Sequence, residues 1–370
     1  MKIFVWLFII TICSFAFADE DSCGKVRLDE EPGCLAGSKV TNQGGDPSCY
    51  THAAAIMMTC QDRNTLKNKM TVSPEKILAD IQSLPASELE DIKNANTGRT
   101  CNTVDFVKKN GRCNRDVILE ILRAYSDEYN NSDSKKPFDT KTPELASTIK
   151  YFLEKYGNLP SEKFCKKLNS ALASIGISSE FTANLVQLLQ TQNPNSAYQM
   201  TNQIFKNACT AKVGWVDGSQ EPEPICKSFD FTLIENDKKT LQDPAAFKKQ
   251  LHSLFDKPAD QQSPVAIEYC SGLYKTNDDS SLITNRTFDK DINYLNDPKA
   301  ALKNLADTCK FHASAIVGRE KRPDGKCYFI IQNSWGASCG FYKNQSLCKE
   351  GKFWVEENKL TNNLIRVSHF

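Results

Sequence analysis

The stretch "NQGGDPSCYTHAAAIMM", from Asn42 to Met58, passes from loop to helix at a cysteine. Residues 44–48 consist of Gly, Asp, Pro and Ser, the residue types that form turns and loops. After them, small and apolar residues recur at helical spacing, which predicts a helix from about Cys49 to Cys60. The sequence therefore predicts a thiol at the N-terminus of an apolar helix.

A cysteine in this position has two interpretations. Unpaired N–H groups and the positive end of the helix dipole lower the pKa of a thiol, so Cys49 can serve as a nucleophile. Alternatively, Cys49 is a buried or disulfide-bonded cysteine, the usual situation in a cysteine-rich exported chain. The rest of the chain decides between them, because a nucleophilic thiol needs a base.

The charge balance and the N-terminal sequence limit the partners and the cellular location that we expect. The 370 residues carry 46 Lys and Arg against 45 Asp and Glu, without a dense basic run, so we expect no nucleic-acid partner. An apolar run from Ile3 to about Phe15 precedes the small-x-small pattern Ala16-Phe17-Ala18. It is shorter than the roughly 18 to 20 residues of a membrane span, so an uncleaved anchor is the weaker alternative. Residues 1–18 are predicted to be a signal peptide, and the mature protein to be secreted or periplasmic and off the membrane.

Cysteine use agrees with export. Fifteen cysteines predict disulfides rather than metal sites, and Cys23 with Cys34 is a first guess for a pair. No C-x-x-C spacing occurs and the four histidines are scattered, so we expect neither a metal nor a cofactor. Fourteen cysteines remain after signal cleavage, an even number that by itself argues weakly against a catalytic thiol.

Three kinds of segment follow the signal. Residues 19–113 contain the helix of the opening stretch and a second one, for which Ser73 is the predicted N-cap and Pro74 the first helical residue. Residues 114–224 show several amphipathic patterns, which predict a helical insertion. Residues 225–370 contain short β-branched and aromatic runs that predict strands. These runs are 263–270, 312–320, 326–335 and 351–358.

The runs 312–320 and 326–335 are expected to bring a base and a group that orients it close together. "RPDG", residues 322–325, lies between them and predicts a hairpin turn. His312 starts one strand and Asn333 ends its antiparallel partner, so both are expected at the same end of the hairpin. An imidazole there can take the proton of a thiol, and an Asn side chain can fix the ring.

Other residues complete this candidate site or compete with it. Gln43, six residues before Cys49, offers a side-chain NH₂ group to an oxyanion beside the sulfur. Ala313 is small and adjoins His312, so it is expected to line the substrate pocket. His52 is a rival base, three residues along the Cys49 helix, but it lacks an evident orienting partner.

The segments "NQGGDPSCY", "HASAIVG" and "YFIIQNSWGASCG" resemble those of the papain-type cysteine peptidases, which read Q-G-x-C-G-S-C-W, H-A-x-x-x-V-G and Y-W-x-x-K-N-S-W-G. Position by position, Gln43 matches the oxyanion-hole glutamine, Cys49 the nucleophile, His312 the base and Asn333 the orienting asparagine. Trp335 matches the tryptophan that shields the bond between His and Asn. The order Cys, His, Asn along the chain is also that of the family.

The resemblance implies an α+β, papain-like two-lobe fold. Its left lobe would be helical and carry the nucleophile, its right lobe would be β-barrel-like and carry the base, and residues 114–224 would be an inserted helical subdomain. The chain departs from the family pattern at Asp46, where the family has a cysteine, and at Tyr50, where it has Trp. Phe311 stands where Asn or Asp is common.

The implied activity is hydrolysis of peptide bonds in protein or peptide substrates through an acyl-enzyme, by a secreted cysteine peptidase. Two alternatives use the same residues. An acyl transferase or transpeptidase would pass the acyl group to an amine, and a catalytically silent papain-like protein would only bind. The sequence leaves the oligomeric state open.

Overall fold

The computed structural model describes fifteen stretches of the chain. They are residues 23–43, 48–67, 69–85, 92, 100–121, 194–211, 215–216, 225–230, 232–235, 238–241, 244–270, 311–340, 342, 344–361 and 363–370. The predicted signal peptide, the loop at 44–47 and most of the predicted insertion therefore lie outside the described residues.

Six helices and twelve strands have defined bounds. The helices are α1 (Cys49–Leu66), α2 (Pro74–Gln82), α3 (Thr100–Asn110), α4 (Pro194–Ala211), α5 (Pro244–Phe255) and α6 (Glu357–Thr361). The strands are β1 (Val26–Arg27), β2 (Arg112–Cys113), β3 (Trp215–Val216), β4 (Lys227–Asp230), β5 (Thr232–Glu235), β6 (Lys238–Leu241), β7 (Val265–Cys270), β8 (Phe311–Lys321), β9 (Cys327–Gln332), β10 (Cys348–Lys349), β11 (Lys352–Glu356) and β12 (Leu364–His369). Both helix starts predicted from sequence, at Cys49 and Pro74, are confirmed.

The α2 start shows why the sequence signal was reliable. The Ser73 side chain accepts a hydrogen bond from the Lys76 backbone N–H, and Pro74 occupies the first helical position. A serine cap satisfies a backbone donor that the helix itself cannot pair, and a proline loses nothing there because its missing N–H has no helical partner.

One antiparallel sheet carries most of the β structure. Its strand order is β10-β11-β9-β8-β7-β12-β4, and β1 pairs with β8 outside this path. The sheet is open, since its two ends, β10 and β4, are not paired with each other. The predicted β-barrel-like lobe is therefore wrong. Open edges of this kind are short, two residues in β10 and four in β4, which limits the unpaired backbone they expose.

Strands β8 and β9 form the predicted hairpin. Lys321 pairs with Cys327, and Gly325, with a φ of 79°, donates its N–H to the Arg322 carbonyl in the turn between them. A positive φ suits glycine because it has no Cβ. At the far end Ala315 pairs with Gln332, so the start of β8 lies beside the end of β9.

Helix α1 lies against the sheet. It contacts β7 and β8 on one side and α2 and α3 on the other. Cys49, Met57 and Ile77 share a buried cluster with Ala313 of β8, and a second cluster around Phe329 contains residues of the sheet together with α1 and α5. Packing thus places the first turn of α1 beside the first residues of β8.

Five disulfides join the described cysteines. They are Cys23–Cys327, Cys34–Cys60, Cys101–Cys226, Cys113–Cys209 and Cys339–Cys348. The guess that Cys23 pairs with Cys34 is wrong, because β1 pairs with β8 and carries Cys23 toward the hairpin. This number of disulfides fits an extracellular location.

Within the predicted insertion the structure describes residues 115–121, which are helical, and α4 with β3. Helix α4 packs against α2, and β3 pairs with β2. The insertion's other predicted helices lie outside the described residues, and the domain boundaries stay predictions. No helix among the described residues has the length and apolarity to cross a membrane.

Candidate active site

Cys49 opens α1 and is buried. Among the cysteines whose side chains the structure describes, it is the one without a disulfide, which excludes the disulfide-bonded interpretation. Burial raises the pKa of its thiol to about 11, although backbone N–H groups, that of Ala313 foremost, favour the thiolate. Glu268 raises the thiol pKa further through its negative charge.

The expectation that the helix N-terminus would lower this thiol pKa is therefore wrong for the resting protein. The N–H groups of Cys49 and Tyr50 act in the expected direction, but loss of water around the sulfur has the larger effect. A thiol in such a site is neutral until a base takes its proton.

His312 and Asn333 meet as the hairpin predicts. The imidazole Nε2 lies 2.6 Å from the Asn333 Oδ1, and both residues are buried. An amide oxygen only accepts, so the ring donates from Nε2, and the proton-accepting role falls to Nδ1. The Asn333 Nδ2 in turn donates to the Tyr342 hydroxyl at 3.0 Å, which fixes which way the carboxamide faces.

Trp335 covers this pair. Its ring centroid lies 5.0 Å from that of His312, tilted by 40°, and its other neighbour is Tyr342, stacked at 5.9 Å. An indole placed beside the imidazole is in position to limit the access of water to the bond between His312 and Asn333. The shielding role that the resemblance implies stays a prediction.

Gln43 is tied to the residue after Asn333. Its backbone N–H donates to the Ser334 carbonyl at 2.7 Å, and its side-chain Oε1 accepts from the Ser334 hydroxyl. Asn42 forms a β-bridge with Trp335. Because Oε1 is engaged, the Gln43 amide can offer only its NH₂ group to an oxyanion, the polarity that the predicted role needs.

Ala313 joins the two halves of the candidate site. It is buried, belongs to the same cluster as Cys49, and its backbone N–H lowers the pKa of the Cys49 thiol. In β8 it follows His312 and pairs with Glu268 of β7. The structure thus brings Cys49 to the strand that carries His312, while its role in lining a substrate pocket stays a prediction.

The rival base, His52, occupies a different environment. Its Nδ1 lies 2.5 Å from the Thr41 hydroxyl, and complete burial lowers its pKa to about 3. A ring with that pKa is a poor base near neutral pH. His52 therefore fits a structural role.

Three polar neighbours of the site were missed from sequence. They are Ser314, Tyr269 and Tyr342. Alternation along a strand puts residue i+2 on the same face as residue i, so the position of His312 already indicated Ser314. Nothing local pointed to the tyrosines, because Tyr269 lies on β7 and Tyr342 beyond the end of β9.

One described group has the composition of a metal site, and it lies elsewhere. His252, Cys327 and Glu357 come within 4.8 Å of one another. However, the Cys327 sulfur is bonded to Cys23, and the His252 Nε2 lies 2.8 Å from the Glu357 carboxylate. A disulfide sulfur is not a thiolate ligand, so these residues do not fit a metal. The expected absence of a cofactor stays a prediction.

Neither a family model nor a curated protein sequence matches the chain. Among solved structures, it is similar to digestive procathepsin L 3 of the Tenebrio molitor larval midgut, at a TM-score of 0.39 and 12% identity, over 93% of this chain and 68% of that one. It is also similar to the proform of the Amb a 11 cysteine protease, a ragweed pollen allergen, at a TM-score of 0.37 and 12% identity, over 93% and 64%.

A third similar structure, PepW of Lactobacillus rhamnosis, has a TM-score of 0.29 and 13% identity, over 90% of this chain and 79% of that one. The chain spans less than two thirds of the ragweed protein's length. With TM-scores below 0.5, these likenesses carry no argument about activity, which must come from the residues themselves.

Proposed function

We propose that this protein is a cysteine peptidase that is exported to an oxidising compartment. The observation that supports it most is the buried bond of 2.6 Å between the His312 Nε2 and the Asn333 Oδ1, on the strand whose next residue, Ala313, shares a buried cluster with Cys49. A single histidine or cysteine in a core is unremarkable. A fixed imidazole on a strand that packs against an unbridged thiol fits the arrangement that nucleophilic catalysis needs.

The first half of the reaction forms an acyl-enzyme. The His312 Nδ1 takes the thiol proton as the Cys49 sulfur attacks the peptide carbonyl carbon, and Asn333 stabilises the resulting imidazolium. The Gln43 NH₂ group and the Cys49 backbone N–H donate to the oxyanion. His312 then passes the proton to the leaving amine, and the C–N bond breaks.

The second half regenerates the thiol. His312 takes a proton from water as that water attacks the acyl carbon, and it returns the proton to the departing Cys49 sulfur. An amine in place of water would give a transpeptidase, the second candidate, for which no separate observation speaks. A silent binding protein, the third, has no need of a fixed imidazole beside the thiol.

Covalent labelling tests the proposal. The full chain, produced by export into an oxidising compartment, is treated with an irreversible epoxide inhibitor of thiol peptidases, and the adduct is located by mass spectrometry. We expect one adduct, on Cys49, and hydrolysis of an unfolded protein substrate that Cys49→Ala abolishes. A folded sample with neither adduct nor hydrolysis would contradict the proposal. Accumulation of amide products after addition of an amine would identify a transpeptidase.

A further inference from the structure

A line of hydroxyl groups continues the candidate site into the sheet. The Tyr269 hydroxyl lies 2.9 Å from the Ser314 Oγ, and the Ser314 Oγ lies 3.2 Å from the Asn333 Oδ1. All three residues are buried, with Tyr269 and Asn333 at 0% exposure and Ser314 at 2%. The reaction described above makes no use of Ser314 or Tyr269.

The direction of these bonds follows from the acceptor at their end. A carboxamide oxygen has no proton to give, so Ser314 must donate its only hydroxyl proton to Asn333. The Ser314 Oγ can then only accept from Tyr269, which makes Tyr269 the donor. The bonds therefore run one way, from Tyr269 through Ser314 to Asn333.

Asn333 is held on every polar atom of its side chain. Its Oδ1 accepts from His312 at 2.6 Å, from the Ser334 backbone N–H at 2.8 Å and from Ser314. Its Nδ2 donates to Tyr342 at 3.0 Å. Of these partners Ser314 alone shares its strand and face with His312, so one rigid element fixes both the imidazole and a group that holds its partner.

We propose that Ser314, held in turn by Tyr269, is a positioning residue that fixes the Asn333 carboxamide against the His312 imidazole. The tyrosine also meets the ring directly, edge to face, with centroids 5.7 Å apart. The inference rests on the proposed function for its kinetic consequence, whereas the orientation of His312 can be measured without any activity.

Four variants test it by kinetics. Ser314→Ala should lower kcat roughly fivefold to twentyfold, the effect of one hydrogen bond in the transition state, with KM changed less than about twofold. Tyr269→Phe should lower kcat less. The double variant should be no slower than Ser314→Ala, because the Tyr269 hydroxyl acts through Ser314, while Phe keeps the ring that meets His312. Ser314→Thr, which keeps the hydroxyl, should restore most of kcat.

The matched control is Ser368→Ala. Ser368 is also a buried serine of the same sheet, and its hydroxyl lies 3.0 Å from that of Ser228, on strands β12 and β4. Loss of this hydroxyl should leave kcat within about twofold, since it holds no group of the site. An unchanged kcat in Ser314→Ala, or additive losses in the double variant, would overturn the proposal.

Nitrogen NMR separates failure of this inference from failure of the proposed function. The chain has four histidines, so the ¹⁵N-histidine-labelled protein gives few ring ¹⁵N signals. The signals that disappear in His312→Asn are those of His312. We expect a protonated Nε2 in the wild type and altered His312 signals in Ser314→Ala but not in Ser368→Ala. If the wild type gives no Cys49 adduct, the peptidase proposal fails, and unchanged His312 signals in Ser314→Ala would separately refute the positioning role.

Discussion

Helix α1 and strand β8 each bury a histidine, and the two sites differ in what surrounds the ring. His52 on α1 contacts a threonine hydroxyl in a site where burial dominates, and its pKa falls to about 3. His312 on β8 donates to a carboxamide that has three further hydrogen-bonded partners, beneath an indole. Burial alone therefore does not mark a catalytic histidine. The groups that fix the orientation of the ring distinguish His312 from His52.

The largest expected difference between the two histidines is catalytic. On the proposed function, His312→Asn should slow labelling of Cys49 by the epoxide by roughly a hundredfold or more, the usual contribution of a general base. His52→Asn, the same substitution on the other buried ring, should leave the rate within about threefold. Labelling rates are compared at neutral pH on samples with native near-ultraviolet circular dichroism. Equal losses in both variants would abolish the distinction.

The second largest expected effect is a loss of folding stability at acid pH that is caused by His52. Its folded pKa, about 3, lies below the ordinary value near 6.5, so the unfolded chain binds a proton that the folded protein refuses. Stability is complete above pH 6.5 and should fall by about 4 kcal/mol between pH 6.5 and pH 3 from this residue.

Urea unfolding at a series of pH values measures that loss, and His52→Asn provides the reference. The variant starts less stable at pH 7 but should lose less on acidification than the wild type does. Parallel curves for the two proteins would show that His52 is protonated in the folded state.

The smallest expected effect concerns the thiol of Cys49, the first residue of α1. Because burial raises the Cys49 pKa to about 11, its stabilising contribution is complete below pH 9 and is lost as pH rises toward 11. Wild type should lose about 2 kcal/mol more than Cys49→Ala over that window. A wild type that loses no more than the variant would show that the folded protein does not raise the pKa of this thiol.

Local chemistry made much of this structure predictable. The cap at Ser73, the turn at 322–325 and the strand bounds around His312 follow from residues close in sequence, and the structure confirms them. The antiparallel hairpin then placed His312 beside Asn333 without any further information. Periodicity and turn chemistry were sufficient because the interacting residues belong to one supersecondary unit.

The predictions that were wrong or missing concern contacts between residues that are far apart in the sequence. Strand order at the sheet edges decides whether a sheet closes, and no segment of sequence encodes it, so the barrel-like lobe was wrong. The Cys49 pKa depends on how closely β8 packs over α1, and Cys23 pairs with a residue 304 positions away. Tyr269 bonds to Ser314 on the neighbouring strand although the two residues are 45 positions apart, which no local pattern reveals.

The contact between Gln43 and Ser334 has a consequence for the timing of synthesis. These residues are 291 positions apart, so the segment that carries the proposed oxyanion donor finds its anchor only after the chain has been made past β9. A nascent chain holding Cys49 but lacking β8 and β9 has neither the base nor the anchor for Gln43. On the proposed function, the thiol therefore stays inert in such a nascent chain, and the peptidase gains its reactivity only once residues 312–334 have been made and have folded.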